Sequence, residues 1–295
     1  MASRFFSRCA VFLLWLIHFL PPAAIAGLGT GIGAVLYRLG RDRRRVTETN
    51  LRLCFPEKSE DERRLIGKAH FALLGRAMLD RSLFWWRPPR YLESLITIRG
   101  EEKLRELLDQ GKPVILFAPH FLGLDAGGVA LIMRFDIVST YSNQKNPIFN
   151  ELILRGRQRF GNQFLLSRQD GIRATIKAMR AGRPYYYLPD MDFGRRDSVF
   201  VPFFNIQTAT ITGLSRLARA AGATVVPCVT RMHPERPGYQ LEIGDPWDDF
   251  PTEDIEADTR RMNAFIEDAI ATMPEQYYWV HRRFKTRPAG EPRIY

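Results

Sequence analysis

From residue 57 onward the apolar positions follow two alternating patterns: helical spacing of about four residues and short unbroken runs, each bounded by capping or turn residues. Ser59 and Glu62 have capping-box spacing, and Leu65, Ala69, Leu73 and Ala77 follow on one face, predicting a helix that runs toward Phe84, Trp85 and Trp86. A helix over Glu101 to Leu108 should stop at Gly111, and Val114 to Ala118 reads as a buried strand. Phe135 to Tyr141 reads as another strand. Asn146 and Pro147 cap and open a helix through "IFNELILRGRQRF", and Asp170 caps a second that ends at Gly182. "YYYLPD" is a strand, Thr212 to Ala221 a helix closed by Gly222, "TVVPCVT" a strand and "YQLEIG" an edge strand. The last helix carries Ile255, Thr259, Met262, Ile266, Ala269 and Met273 on one face and stops at Pro274. Strands alternating with helices of this length predict an α/β fold, a mostly parallel central sheet flanked by helices. Without repeats or linkers, residues 46–295 read as one domain.

The first 45 residues differ. Arg4 and Arg8 precede the apolar run Cys9 to Leu20, Pro21 and Pro22 interrupt it, and "AAIAGLGTGIGAVLY" resumes it before "RLGRDRRR". A secretory signal would fit the charged start and the small-x-small "AIA". An uncleaved anchor fits better, because hydrophobicity continues past that point and ends in Arg38, Arg41, Arg43, Arg44 and Arg45, placing the body on the cytoplasmic side. Gly27, Gly29, Gly31 and Gly33 include a dinucleotide-like Gly-x-Gly-x-x-Ala, but no strand precedes them, so close helix packing is the better reading.

At 295 residues and 45% apolar content, the chain can bury a sizeable core. A net charge of +11 implies attraction to an acidic partner without naming it. The three cysteines, Cys9, Cys54 and Cys228, have neither disulfide nor metal-ligand spacing, as expected in a reducing compartment. Nucleic acid fits poorly, since the charges cluster beside apolar segments instead of interleaving with aromatics.

Candidate chemistry begins at "APHFLGLDAGG". His120 lies just past a buried strand, where open α/β sheets place ligand-contacting groups. A five-residue step on a helix turns roughly 140° off the starting face, so His120 and Asp125 meet only if His120 is on the turn and Asp125 in the first helical turn. In that geometry the carboxylate would hold one imidazole N–H and leave the other nitrogen as a general base. With no serine or cysteine placed beside them, direct transfer to a substrate hydroxyl follows. The alternative is a satisfied histidine and a helix cap. Asp190 and Asp192 read as structural hydrogen-bond acceptors or, less well, metal ligands. The Phe84 to Trp86 cluster beside Arg87 and Arg90 suits either headgroup level or the core. His18, His70 and His233 have no visible chemistry.

Together "NLRLCFPEKSEDER", "HFLGLD", "KNPIFN", "LPDMDFG", "VFVPFF" and "PEQYYWVHRRFKTRP" resemble the late acyltransferases of lipid A biosynthesis, the lauroyl/myristoyl type within the His-x-x-x-x-Asp acyltransferase superfamily. The resemblance covers nearly the whole chain. It implies a glycerolphosphate-acyltransferase-like fold and an inner-membrane enzyme that moves an acyl group from acyl carrier protein to a hydroxyacyl chain of Kdo2-lipid IVA. The family dyad falls on His120 and Asp125, and an arginine important in relatives matches Arg157, between Arg155 and Arg159. Two positions depart from the pattern: Met191 stands where relatives usually carry Gln or His, and Asn205 where Gly is common. In "HRRFKTR", His281, Arg282, Arg283, Lys285 and Arg287 form a group suited to phosphate or carboxylate; Arg282, Arg283 and Lys285 are the candidate substrate contacts. Oxyanion donors would be backbone amides near residues 122 to 126, or Arg157. A thiol leaves readily, so no cofactor or metal is required. Competing readings are a glycerophospholipid acyltransferase using the same dyad and a non-catalytic binder of anionic lipid.

Overall fold

The computed structural model describes residues 2–141, 144, 146–161, 163–167 and 171–295. Four helices come first: α1 (Ala2–Ile17), α2 (Pro22–Leu39), α3 (Arg41–Cys54) and α4 (Glu60–Trp86). The Ser59/Glu62 capping box opens α4, and three acids in its first turn complement the helix dipole. The α/β body continues with α5 (Pro89–Leu95), β1 (Ile96–Arg99), α6 (Glu101–Asp109), β2 (Val114–Phe117), α7 (Leu124–Ile132), β3 (Val138–Tyr141) and α8 (Pro147–Gln158). Next come β4 (Phe164–Ser167), α9 (Gly171–Arg180), β5 (Tyr185–Tyr187), β6 (Ser198–Phe203), β7 (Ile206–Ile211) and α10 (Gly213–Ala221). The last elements are β8 (Thr224–Met232), β9 (Tyr239–Ile243) and α11 (Ile255–Thr272).

Seven strands form the central sheet in the order β1-β9-β8-β2-β5-β3-β4. Only the β8–β9 pair is antiparallel, as the helix-strand alternation predicts. β2 lies in the middle and is buried throughout, with Val114 and Leu116 in a core that includes Leu83 and Leu104. Ile115 and Phe117 point into the opposite core with Leu217, Ile266 and Trp279. Each such side chain contributes roughly 1.5–3 kcal/mol by leaving water, so both faces of β2 must be covered by helices.

Several expectations need correction. "YQLEIG" is not an edge strand, because β1 pairs outside β9. Phe135 belongs to the turn leaving α7, where its N–H donates to the Leu131 carbonyl, and the strand starts three residues later. The expected cap Asp170 lies outside the described residues. The apolar pattern does not predict β1, β4 or the separate β6–β7 hairpin. The hairpin turns through Phe204 (φ 48°) and Asn205 (φ 62°), the positive-φ pair of a two-residue turn. Asparagine tolerates that conformation, so Asn205 can hold the turn without a glycine.

The N-terminal segment is fastened to the body. Gly29 and Gly33 of α2 meet Gly75, Arg76 and Phe71 of α4 so closely that a methyl group on Gly29 would lie 2.6 Å from the Arg76 Cα. A flank of α2 exposes Leu28, Ile32, Val35 and Leu39. α2 is long and apolar enough to cross a membrane by length and composition. α3 passes through the boundary drawn at residue 45, and its Asn50 donates to the carbonyls of Trp279 and His281 while Arg43 donates to that of Val280.

Candidate active site

The site is built at the carboxyl ends of two adjacent parallel strands. Ala118, just past β2, donates to the carbonyl of Tyr187 at the end of β5, which brings His120 beside Asp190. One carboxylate then holds both the backbone and the ring of His120. The His120 N–H donates to Asp190 Oδ2 at 2.9 Å, and Nδ1 lies 2.6 Å from Asp190 Oδ1. Asp190 has no solvent exposure. Burial alone would raise its pKa, but His120 and Arg283 overcome that and hold it below the usual carboxylate range. Because a carboxylate accepts, Nδ1 carries the proton, and Nε2 is left with its lone pair and no partner among the described residues.

The C-terminal segment locks this turn from the other side. Tyr278 donates to the His120 carbonyl, and Leu122 donates to that of Gln276. The Gln276 side chain in turn accepts from Met232 N–H and donates to its carbonyl. The "PEQYYWV" stretch is therefore the frame of the histidine loop.

Asp125 occupies the first turn of α7, as the spacing argument requires, but it does not hold the imidazole N–H. Its Oδ2 accepts from Arg81 Nε at 2.6 Å. The reason is local: Asp190, sealed from water, takes the His120 donors, while Asp125 faces the passing α4 and finds Arg81 there. Arg81 and Asp125 keep 47% and 37% of their side-chain surface open toward the cleft. Burial works against the Asp125 charge, yet Arg81, Arg157 and His120 together keep its pKa depressed.

His120, Asp125, Arg81 and Arg157 line one cleft of about 1260 Å³. Gly128, Val129, Ile132 and Ile137 give it an apolar wall. Arg157 has no hydrogen-bond partner among the described residues, whereas Arg155 pairs with Glu151 and Arg159 donates to the carbonyls of Phe84 and Arg87. Of the amides expected to stabilise an oxyanion, those of Leu122, Leu124 and Ala126 are already bonded to the carbonyls of Gln276, Phe121 and Gly123.

The basic tail is not a cleft feature. Arg283 is 1% exposed and donates to the Ala209 carbonyl and Thr210 hydroxyl of the β6–β7 hairpin, with its guanidinium 5.0 Å from the Phe203 ring centroid. Lys285 lies 3.8 Å from Asp192, and Arg282 lies over the Tyr295 ring. His281 accepts from the Asp192 N–H, and burial, helped by Arg283, lowers its pKa to about 4, so it carries no charge at neutral pH. The expected anion-binding group is thus largely consumed in holding the C-terminus to the hairpin and to Asp192, whose carboxylate also accepts from Thr286. None of Arg282, Arg283 and Lys285 lines the cleft.

The sequence profile of bacterial lipid A biosynthesis acyltransferases matches residues 2–286. The chain belongs to this family. It is 39% identical to the lipid A biosynthesis lauroyltransferase of Escherichia coli strain K12 over 284 residues, 96% of this chain and 92% of that enzyme. It is 33% identical to the palmitoleoyltransferase of the same organism over the same shares, and 34% identical to its myristoyltransferase over 90% of this chain and 82% of that one. This lipid A acyltransferase therefore acts in the late acylation of lipid A.

Asp190, read from the sequence as a structural hydrogen-bond acceptor, is the partner of the imidazole, and Arg81, the partner of Asp125, has no place in the sequence reading. Both had a signal. Asp190 follows a strand as His120 does, and Arg81 belongs, with Arg76 and Asp80, to a charged group in the otherwise largely apolar second half of α4, Phe71 to Trp86.

Proposed function

We propose that the enzyme transfers a fatty acyl chain from acyl carrier protein to the hydroxyl of a hydroxyacyl chain on Kdo2-lipid IVA, at the cytoplasmic side of the inner membrane. The observation that carries this reading is the His120 imidazole, fixed through Nδ1 by a buried carboxylate and open through Nε2 to a cleft with an apolar wall. Nε2 takes the proton of the acceptor hydroxyl, and the oxygen attacks the thioester carbonyl. As the tetrahedral species collapses, the carbon–sulfur bond breaks and the thiolate recovers the proton from Nε2–H. Asp190 stabilises the imidazolium formed between the two transfers. Asp125 adds negative potential beside it and holds Arg81 in place. Arg157, a cation without a hydrogen-bond partner among the described residues, stabilises the developing oxyanion or the acceptor phosphates, and Arg282 and Lys285 act outside the cleft on the acidic donor. The apolar α2 anchors the protein, and the arginines that follow it keep the body cytoplasmic.

His120→Ala removes the base and is expected to lower transfer by about 10²–10⁴-fold with unchanged circular dichroism. The assay uses purified full-length protein, acyl carrier protein thioester and Kdo2-lipid IVA, with mass spectrometry of the product. Transfer equal to wild type would remove His120 from the reaction.

A further inference from the structure

A second cavity, of about 540 Å³, lies between α1, the end of α4 and α8. Val11, Phe12, Trp15, Ile148 and Leu152 make its wall largely apolar, and Arg8, Arg155 and Arg159 join the lining. Arg155 and Arg159 are engaged as described above. Arg8 is exposed and has no partner among the described residues.

Two residues, Trp85 and Gly156, line this cavity and the catalytic cleft alike. The indole edge lies directly on the glycine: a methyl group there would be 2.6 Å from Nε1 and 3.2 Å from Cγ. Trp85 resting on Gly156 is thus a wall common to the two spaces. Trp85 is half-buried, and its indole N–H has no acceptor among the described residues, so rotating it breaks no hydrogen bond.

The outer side of α1 exposes Phe5 (66%), Phe6 (70%) and Leu13 (57%). An apolar surface of this kind, exposed among the described residues and followed along the chain by the apolar α2, suits a bilayer. A multiply acylated substrate that crossed water to reach the cleft would lose the hydrophobic contribution of every methylene it exposed. The outer cavity is an apolar path from the α1 surface to the cleft wall that avoids this.

We propose that this cavity receives an acyl tail of the lipid acceptor directly from the membrane, with Arg8 meeting a phosphate of its head, and that Trp85 over Gly156 is the gate into the cleft. The proposal rests on the acceptor reading given above. It deepens that reading by assigning the route and a second binding site.

Leu152 lines the outer cavity only, so Leu152→Trp fills the path and leaves the cleft wall intact. With Kdo2-lipid IVA presented in phospholipid vesicles, KM for the acceptor is expected to rise about tenfold at unchanged kcat. Transfer to a short-chain, water-soluble analogue should not change. A measurement independent of turnover uses the full-length His120→Ala protein in vesicles containing a Kdo2-lipid IVA analogue with a diazirine in one acyl tail. Photolysis is expected to label Phe12, Trp15 or Leu152, and unlabelled Kdo2-lipid IVA should suppress the labelling. If wild type transfers normally while these residues stay unlabelled and Leu152→Trp matches wild type, the gate is wrong and the proposed reaction stands. Equal labelling by a diazirine phosphatidylglycerol that the acceptor does not displace would also overturn it, making the cavity a cradle for bulk lipid. Specific labelling with no transfer by wild type would instead overturn the reaction and keep the lipid site.

Discussion

A carboxylate sealed from water needs donors for both oxygens, and Asp190 obtains both from His120, one from the backbone and one from the ring. That arrangement sets the imidazole tautomer. Asp190→Asn would present an amide N–H₂ or a weaker acceptor to Nδ1, losing both tautomer control and the countercharge to the imidazolium, and kcat is expected to fall about 10²–10⁴-fold. Asp125→Asn releases Arg81 and is expected to reduce kcat as well. If both acids act through one imidazole, the double variant should be little worse than Asp190→Asn alone, because groups that serve one step do not contribute independently. A loss equal to the product of the two would assign them separate tasks. His120 was legible because a strand end announces a ligand position. Its true partner was not, because 70 residues separate the two and only the pairing of β2 with β5 brings them together. Five-residue spacing placed Asp125 correctly in the first turn of α7 but carried no information about α4, from which Arg81 approaches.

Among the elements, α4 does the most varied work. Its Gly75 admits α2, its Arg81 holds Asp125, and its buried Arg76 donates to the carbonyls of His233, Pro234 and Arg236 in the β8–β9 connection. Asp80 meets the Tyr239 hydroxyl of β9 at 2.5 Å. Burial raises the Asp80 pKa to about 6, against the opposing effects of the Tyr239 hydrogen bond and Arg76. Between about pH 4 and 6 the folded protein therefore binds more protons than the unfolded chain, so this residue's contribution is full below pH 4 and is lost as pH rises through 6. The loss is at most about 3 kcal/mol, taking 1.36 kcal/mol per pKa unit. Asp80→Asn keeps an acceptor for Tyr239 without the charge and is expected to gain stability relative to wild type at pH 7 and not at pH 4, read from denaturation midpoints in detergent. An equal difference at both pH values would separate the Asp80 charge from folding. The helix itself was legible from its capping box, but the apolar spacing gave its buried face only in part: Leu73 is buried, whereas Leu65 and Ala69 are exposed, and spacing does not separate the buried Arg76 and Asp80 from solvated charges. The four-residue β1 and β4 are too short to show a period, and the β6–β7 turn uses Phe204 and Asn205 in place of a glycine signal.

Across the whole molecule, the fold class followed from alternation alone, but strand order did not, since placing β9 inside β1 depends on a parallel pairing between distant segments. The same holds for charge. Lys and Arg outnumber Asp and Glu by 43 to 32, yet arginines such as Arg43, Arg76, Arg159 and Arg283 are fastened to backbone carbonyls. Their charge still adds to the field of the protein even where the guanidinium touches no ligand. Arg216 is exposed on the cleft lining, where an arriving acidic carrier protein would feel it. Long-range attraction of this kind speeds encounter and is screened within about 10 Å at 0.1 M salt. Raising ionic strength from about 0.02 to 0.3 M, a range that shortens the screening length several-fold, should lower kcat/KM for acyl carrier protein thioester and leave kcat unchanged. Arg216→Glu should reproduce the effect at low salt. An uncharged thioester of N-acetylcysteamine gives the control: if its kcat/KM falls with salt as steeply as the carrier protein's, salt is acting on the enzyme or the lipid acceptor and not on donor encounter.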